Sequence, residues 1–188
     1  MKGVFIFLAD GFEDMEALGT LDVLRRGGVD VRTVAVGDFP MVTSSHGVDV
    51  TADMTLDSLP EGDSASREDI MIFPGGMPGS RNLAECAPLM KRMKAHFASG
   101  GTVAAICAAP GLVASELPLE PGFRFTCFPG FEESLLALGG IYTEGSTEVS
   151  GRLVTGRGAG HAVAFGLTLL DYLAGPSVAA KVRSGLML

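Results

Sequence analysis

Cys107 lies within the run Thr102-Val103-Ala104-Ala105-Ile106-Cys107-Ala108-Ala109-Pro110-Gly111, at the point where an aliphatic strand gives way to small residues that start a helix. In an α/β sheet, ligands gather at the carboxyl ends of strands, and the free N–H groups at the start of the next helix favour an anion. A thiolate is such an anion, so this position can lower a thiol pKa and make the sulfur a nucleophile. The competing reading is a small buried hydrophobe, which free cysteine often is. Two other segments carry comparable chemistry. Asp10-Gly11-Phe12-Glu13-Asp14-Met15-Glu16 sets carboxylates around a helix start, where Glu13 and Asp14 need only complement the helix dipole. Glu16 lies beside the apolar positions Met15 and Leu18 and can lean over the sheet rim, where desolvation would raise its pKa and fit it for proton transfer. Phe73-Pro74-Gly75-Gly76-Met77-Pro78-Gly79-Ser80 lies between a strand and a helix; its glycines let backbone N–H groups approach a ligand, as in an oxyanion hole, or simply make a turn. It has neither the lysine of a phosphate loop nor the spacing of a dinucleotide fingerprint.

The histidines and remaining cysteines are less directive. His96, beside Lys91, Arg92 and Lys94, is expected to be solvated; His46 sits in a polar turn where a dimer contact is possible; His161 follows Gly156-Arg157-Gly158-Ala159-Gly160 at a helix start and is a plausible rim residue. None of them is singled out as a base for Cys107. Cys86, Cys107 and Cys127 form no CxxC and have irregular spacing, which indicates neither a disulfide framework nor a zinc site and suits a reducing compartment.

The elements that must position these groups follow from the apolar pattern. Val4 to Leu8, Val31 to Val36, Ile70 to Phe73 and Thr102 to Ile106 read as buried parallel strands. Between them, Glu13 to Arg26 reads as a helix with a stripe at Met15, Leu18, Leu21 and Leu24, closed by Gly27-Gly28; Leu89 to Phe97 and Ala162 to Ala174 are further helices. The alternation implies a doubly wound α/β sheet. Val42 to Val50, turning at Ser44-Ser45-His46-Gly47, and Ser146 to Thr155, turning at Ser150-Gly151, are expected hairpins, and Leu59 to Glu68 an expected surface loop.

With 188 residues, 47% hydrophobic content, 26 glycines and no tryptophan, one globular domain over 1–188 is expected. A net charge of −8 argues against binding nucleic acid or an anionic membrane surface. The apolar run Gly3 to Ala9 is far shorter than the ~20 residues of a bilayer span and has no cleavage site, which suggests a soluble cytoplasmic protein.

Taken together and in this order, GFEDMEA, FPGGMPGS, AAICAAPG and TGRGAG resemble the ThiJ/PfpI superfamily over nearly the whole chain, within it the branch of the parkinsonism-associated protein deglycase and bacterial YajL. The resemblance implies a flavodoxin-like doubly wound sandwich of the class I glutamine amidotransferase-like kind, a homodimer, and the elbow cysteine as reactive centre. Cys107 would be the nucleophile and Glu16 the carboxyl bonded to it, with Gly75, Gly76 and Ala108 bringing backbone donors to the sulfur. His46 and Arg26 fall at positions associated with the dimer interface, and Cys127 with the pocket lining. The implied activity is cofactor-free and metal-free processing of reactive dicarbonyls or glycated substrates; a redox sensor or stress chaperone is the alternative, and a peptidase or amidohydrolase a third. Two departures stand out. The peptidase-like branch has a histidine after the nucleophile, where this chain has Ala108, and the human relative has a histidine where this chain has Phe128.

Overall fold

The computed structural model describes residues 1–59 and 65–188. Its strands are β1 (Val4–Leu8), β2 (Val31–Ala35), β3 (Met41–Thr43), β4 (Asp49–Thr51), β5 (Met54–Thr55), β6 (Ile70–Phe73), β7 (Thr102–Ile106), β8 (Arg124–Phe125), β9 (Ile141–Tyr142), β10 (Thr147–Ser150) and β11 (Leu153–Gly156). Its α-helices are α1 (Thr20–Arg26), α2 (Gly79–Glu85), α3 (Ala87–Ala98), α4 (Ala109–Leu112), α5 (Glu133–Ala137), α6 (Ala162–Ala174) and α7 (Pro176–Gly185).

The main sheet has the order β10-β11-β7-β6-β1-β2-β5, and every neighbouring pair is parallel except β10 with β11. The chain leaves β1 toward β2 on one side and later returns through β6 on the other, so the topological switch lies between β1 and β6. Ligands in open α/β sheets bind at the carboxyl end of that crevice. Side chains alternate between the faces as the pleat requires. Phe5, Phe7, Met71, Phe73, Val103 and Ala105 share one core with Leu83, Met93, Phe125 and Leu135. On the opposite face, Val4, Ile6, Leu8, Ile70, Ile72, Ala104 and Ile106 meet Val23, Leu24, Phe165, Leu169 and Leu170. Both faces are covered, which is why these strands read as continuous apolar runs. This is the flavodoxin-like doubly wound sandwich that the sequence implied.

The expected hairpins form, β3 against β4 and β10 against β11, and the second joins the main sheet through β11. Of the expected surface loop from Leu59 to Glu68, residues 60–64 lie outside the described residues; Leu59 and Ala65 on either side are buried. His96 is corrected outright. It is 2% exposed, and its Nε2 lies 3.0 Å from the Asp69 carbonyl and 3.1 Å from that of Thr102, so Nε2–H donates. The basic neighbours suggested solvent, but His96 follows Leu89 and Met93 at helical spacing and shares their buried face. Among the described residues, no helix is long and apolar enough to cross a membrane.

Candidate active site

Three strand ends build the site. Cys107 follows β7 in a left-handed conformation, φ 65°, a strained backbone for a residue with a side chain. Two main-chain bonds hold it there: its N–H donates to the Gly156 carbonyl at 3.0 Å, and its own carbonyl accepts the Phe128 N–H at 2.9 Å. The turn ends at Ala108, which precedes the single-turn helix α4.

Glu16 reaches the same point from the segment after β1. The helix expected from Glu13 to Arg26 is not uniform: Met15–Gly19 is a π-helical turn, and α1 begins at Thr20. The buried stripe is also displaced from the one expected. Met15 is 56% exposed, whereas Glu16 is 1% exposed and leads a stripe through Ala17, Thr20, Val23 and Leu24. A π-turn shifts the register of a helix face and is frequent at functional sites. Here it accompanies an inversion in which the apolar residue faces out and the carboxyl faces in. The Glu16 N–H donates to Glu13 Oε2 at 2.8 Å, which gives Glu13 a local role in holding the turn.

The loop after β6 closes the site. The Gly75 N–H donates to Glu16 Oε2 at 2.7 Å rather than to the sulfur, whereas the Gly76 and Ala108 N–H groups act on Cys107. A Cβ on Gly75 would lie 2.5 Å from both the Cys107 Cβ and Glu16 Oε2, so only glycine lets the thiol and carboxyl converge. Gly76, at φ 90°, packs its backbone directly on Gly11, Phe12 and Glu13.

Burial is the main electrostatic influence on both groups. It pushes the Glu16 carboxyl up from 4.5 to about 7, against the Gly75 and Cys107 hydrogen bonds that favour its charge. It pushes the Cys107 thiol up to about 12, helped by the negative Glu16 and opposed by the Gly76 and Ala108 donors. The two titrate as a unit that holds a single proton between those values. The Glu16 carboxyl is hydrogen-bonded to the Cys107 thiol, which is where that proton is shared, while its Oε1 is buried without a hydrogen-bond partner.

The other expected residues are not all brought here. His46 Nδ1 binds Asp14 Oδ2 at 2.6 Å, and Ser44 Oγ donates to Asp14 Oδ1 at 2.5 Å. Glu13, Asp14 and His46 offer atoms within 4.8 Å of one another, but these atoms are already engaged in that network and in the Glu13 bond to Glu16. Sequence reasoning gave Asp14 no such role, because Ser44 and His46 reach it only across the β3–β4 hairpin. Arg26 is exposed, pairs with Asp22, and lines a 530 Å³ cavity against α7, away from Cys107. Cys127 is fully buried and its thiol pushed up to about 12 by burial; it behaves as a small core residue. Phe128, next to it, is half exposed with its N–H on the Cys107 carbonyl, and His161 precedes α6 with its N–H on the Gly158 carbonyl.

A strained cysteine at the carboxyl end of a central parallel strand, paired with a buried carboxyl, defines a class of α/β proteins with a thiol at a strand-to-helix elbow. The chain belongs to the DJ-1/PfpI family, which matches residues 2–172. It is 37% identical over 187 residues to protein DJ-1 homolog B of Arabidopsis thaliana, covering all of this chain but 42% of that protein. It is 33% identical to glutathione-independent glyoxalase DJR-1.2 of Caenorhabditis elegans over 87% of this chain and 84% of that one. Among solved structures, oxidized Toxoplasma gondii DJ-1 superposes with a TM-score of 0.88 at 32% identity, covering 100% of this chain and 98% of that one.

Proposed function

We propose that the chain acts as one ThiJ/PfpI-type domain over 1–188 that converts reactive 2-oxoaldehydes such as methylglyoxal, free or as early adducts on proteins and nucleotides, into 2-hydroxy acids without a cofactor. The observation that carries this reading is the Glu16 carboxyl beside the Cys107 thiol, one oxygen held by Gly75 and the other unpartnered. The similarity to a protein named a glutathione-independent glyoxalase supports the reaction class.

With the proton on the Glu16 carboxyl, the thiolate is stabilised by the Gly76 and Ala108 N–H groups. Sulfur attacks the aldehyde carbon, the C–S bond forms, and the carbonyl oxygen takes the Glu16 proton to give a hemithioacetal. The carboxylate then removes the hydrogen from that carbon, the electron pair passing into an enediolate, and Glu16 returns the proton to the neighbouring carbon while the hydroxyl on the former aldehyde carbon gives its proton to the alkoxide oxygen beside it. The former aldehyde carbon is oxidised to a thioester while the ketone carbon is reduced to an alcohol, so the redox change is internal. Water cleaves the thioester and releases the hydroxy acid and the thiol.

A homodimer in the cytoplasm accompanies this reading. Phe39, Met41 and Val48 are exposed on and beside the β3–β4 hairpin, which is tied to the Glu16 segment by the Gly11 N–H on the Thr43 carbonyl and the Ser45 N–H on that of Phe12. One observation favours a second reading as redox sensor or stress chaperone: the same N–H donors and protonated carboxyl would hold a sulfinate at Cys107, and one similar structure is of an oxidized protein. Peptidase chemistry lacks the adjacent histidine, since Ala108 stands there.

Lactate formed from methylglyoxal, measured for the wild type, Cys107→Ser and Glu16→Gln at matched concentration, tests the reading. Catalytic lactate lost in Cys107→Ser supports it. Equal or absent production in all three overturns it in favour of redox sensing.

A further inference from the structure

Phe128 is a large, half-exposed apolar residue bonded through its main chain to Cys107, and nothing in the chemistry above uses its ring. Its position is set by main chain: the Phe128 N–H is bonded to the Cys107 carbonyl at 2.9 Å, so the residue is anchored to the elbow whatever its side chain. The residue is 49% exposed. One contact is with Phe131, centroids 6.4 Å apart at 67°, and another is with Gly158, where a Cβ would lie 3.4 Å from the ring. Gly158 follows β11, the strand that neighbours the one carrying Cys107. Met77 is 41% exposed directly after Gly76, whose N–H acts on the sulfur.

Two residues tied to Cys107 through the main chain thus carry exposed apolar groups: Phe128, whose N–H is on the Cys107 carbonyl, and Met77, which follows the Gly76 whose N–H acts on the sulfur. Neither supplies a hydrogen bond to a substrate, and both gain by being covered with apolar surface. A flat aryl substituent adds the offset or edge-on ring contacts that a methyl group cannot make.

We propose that Phe128 makes Cys107 selective for α-carbonyl electrophiles with a flat, apolar substituent, aryl glyoxals rather than methylglyoxal being the preferred 2-oxoaldehydes. This rests on Cys107 as the reacting thiol; the substrate claim rests further on the 2-oxoaldehyde chemistry proposed above.

The test separates the two. Phenacyl bromide and bromoacetone each alkylate a thiolate by forming an S–C bond as bromide leaves, a step that needs no turnover. Their labelling rates at Cys107, followed by intact mass and divided by the same ratio for N-acetylcysteine, report the ring preference alone. The expected wild-type value is about tenfold in favour of the phenacyl reagent, falling toward one in Phe128→Ala and retained in Phe128→Tyr. Phe128→Leu, which keeps apolar bulk but loses the flat ring, carries the same test should the alanine variant fail to fold. A wild-type value near one, or one unchanged in these ring-deleting variants, overturns the proposal. The matching kcat/KM ratio for phenylglyoxal over methylglyoxal is expected to move in parallel. Labelling selectivity without hydroxy acid from either compound leaves Phe128 in place as the selective wall and removes the glyoxalase reading.

Discussion

The carboxyl and amino ends of the central sheet each bury a titratable side chain, and they do so to opposite effect. At the amino end, His96 is pushed down by burial, stays neutral, and spends its Nε2–H on the Asp69 and Thr102 carbonyls. Asp69 accepts the Gly3 and Ser66 N–H groups, and Thr102 Oγ1 donates to the Arg67 carbonyl. That end is closed by hydrogen bonds among neighbouring loops. At the carboxyl end, Glu16 is pushed up by burial and turned toward a thiol, and the cysteine is held at positive φ. Buried ionisable groups therefore do not by themselves mark a site. What distinguishes Glu16 is that it is hydrogen-bonded to a thiol, at the end of the sheet where the Gly76 and Ala108 N–H groups converge on the same sulfur.

The largest difference expected between the two ends is in pH dependence. Glu16 binds its proton more tightly folded than unfolded, so its contribution is fully present below pH 4.5 and is lost as pH rises to about 7, in all about 3 kcal/mol. Chemical denaturation at pH 4.5 and 7.5 should show this loss in the wild type and not in Glu16→Gln. The rate kcat/KM for a 2-oxoaldehyde should rise through an apparent pKa near 7 in the wild type, and that inflection should disappear in Glu16→Gln, together with a 10²–10⁴-fold fall in rate. A wild-type profile flat from pH 6 to 8 would separate Glu16 from the mechanism.

Glycine substitutions should separate the ends next. Gly75→Ala drives a methyl between Cys107 and Glu16 and is expected to cost about 100-fold in kcat/KM per folded molecule, besides the roughly 1–3 kcal/mol of stability that such overpacking costs. Gly101→Ala drives a methyl into the His96 ring and is expected to cost about 1–3 kcal/mol in stability, while kcat/KM per folded molecule stays within about twofold. Reversal of this pattern would mean that the two ends are coupled.

His96 should show the opposite pH sign from Glu16. Its stabilisation is present above pH 6.5 and is lost as pH falls, because the unfolded imidazole takes the proton more readily. The loss on acidification should be smaller in His96→Gln than in the wild type when the two are compared by Tm between pH 7 and 5. The smallest effect is expected at the strained elbow: Cys107→Gly relieves the left-handed backbone and should raise stability by about 1 kcal/mol while abolishing thiol chemistry.

Much of this architecture was legible in local pattern. The apolar runs at Val4, Ile70 and Thr102 could be read as parallel strands because both faces of such strands are buried, and both hairpins fell where turn residues interrupt β-prone segments. Ala162 to Ala174 is a helix with the expected bounds. The errors came where one residue of helical register reverses inside and outside. Glu16 was suspected, but Met15 and Leu18 were assigned to its buried face, because a polar residue rarely leads a buried stripe and a π-turn has no signature in apolar period. His96 was misplaced because nearby lysine and arginine outweighed its spacing from Met93.

By itself the sequence determined the alternation of strands and helices, the cysteine at a strand-to-helix elbow and the glycine loop after β6, since each rests on neighbours in the chain. Only the tertiary structure decided that Gly75, 59 residues from Glu16, gives its N–H to that carboxyl, that Asp14 belongs to Ser44 and His46, and that His96 locks the far end. Those are long-range contacts set by strand order. A pKa raised by burial depends on what surrounds the group from every side, which no local segment encodes.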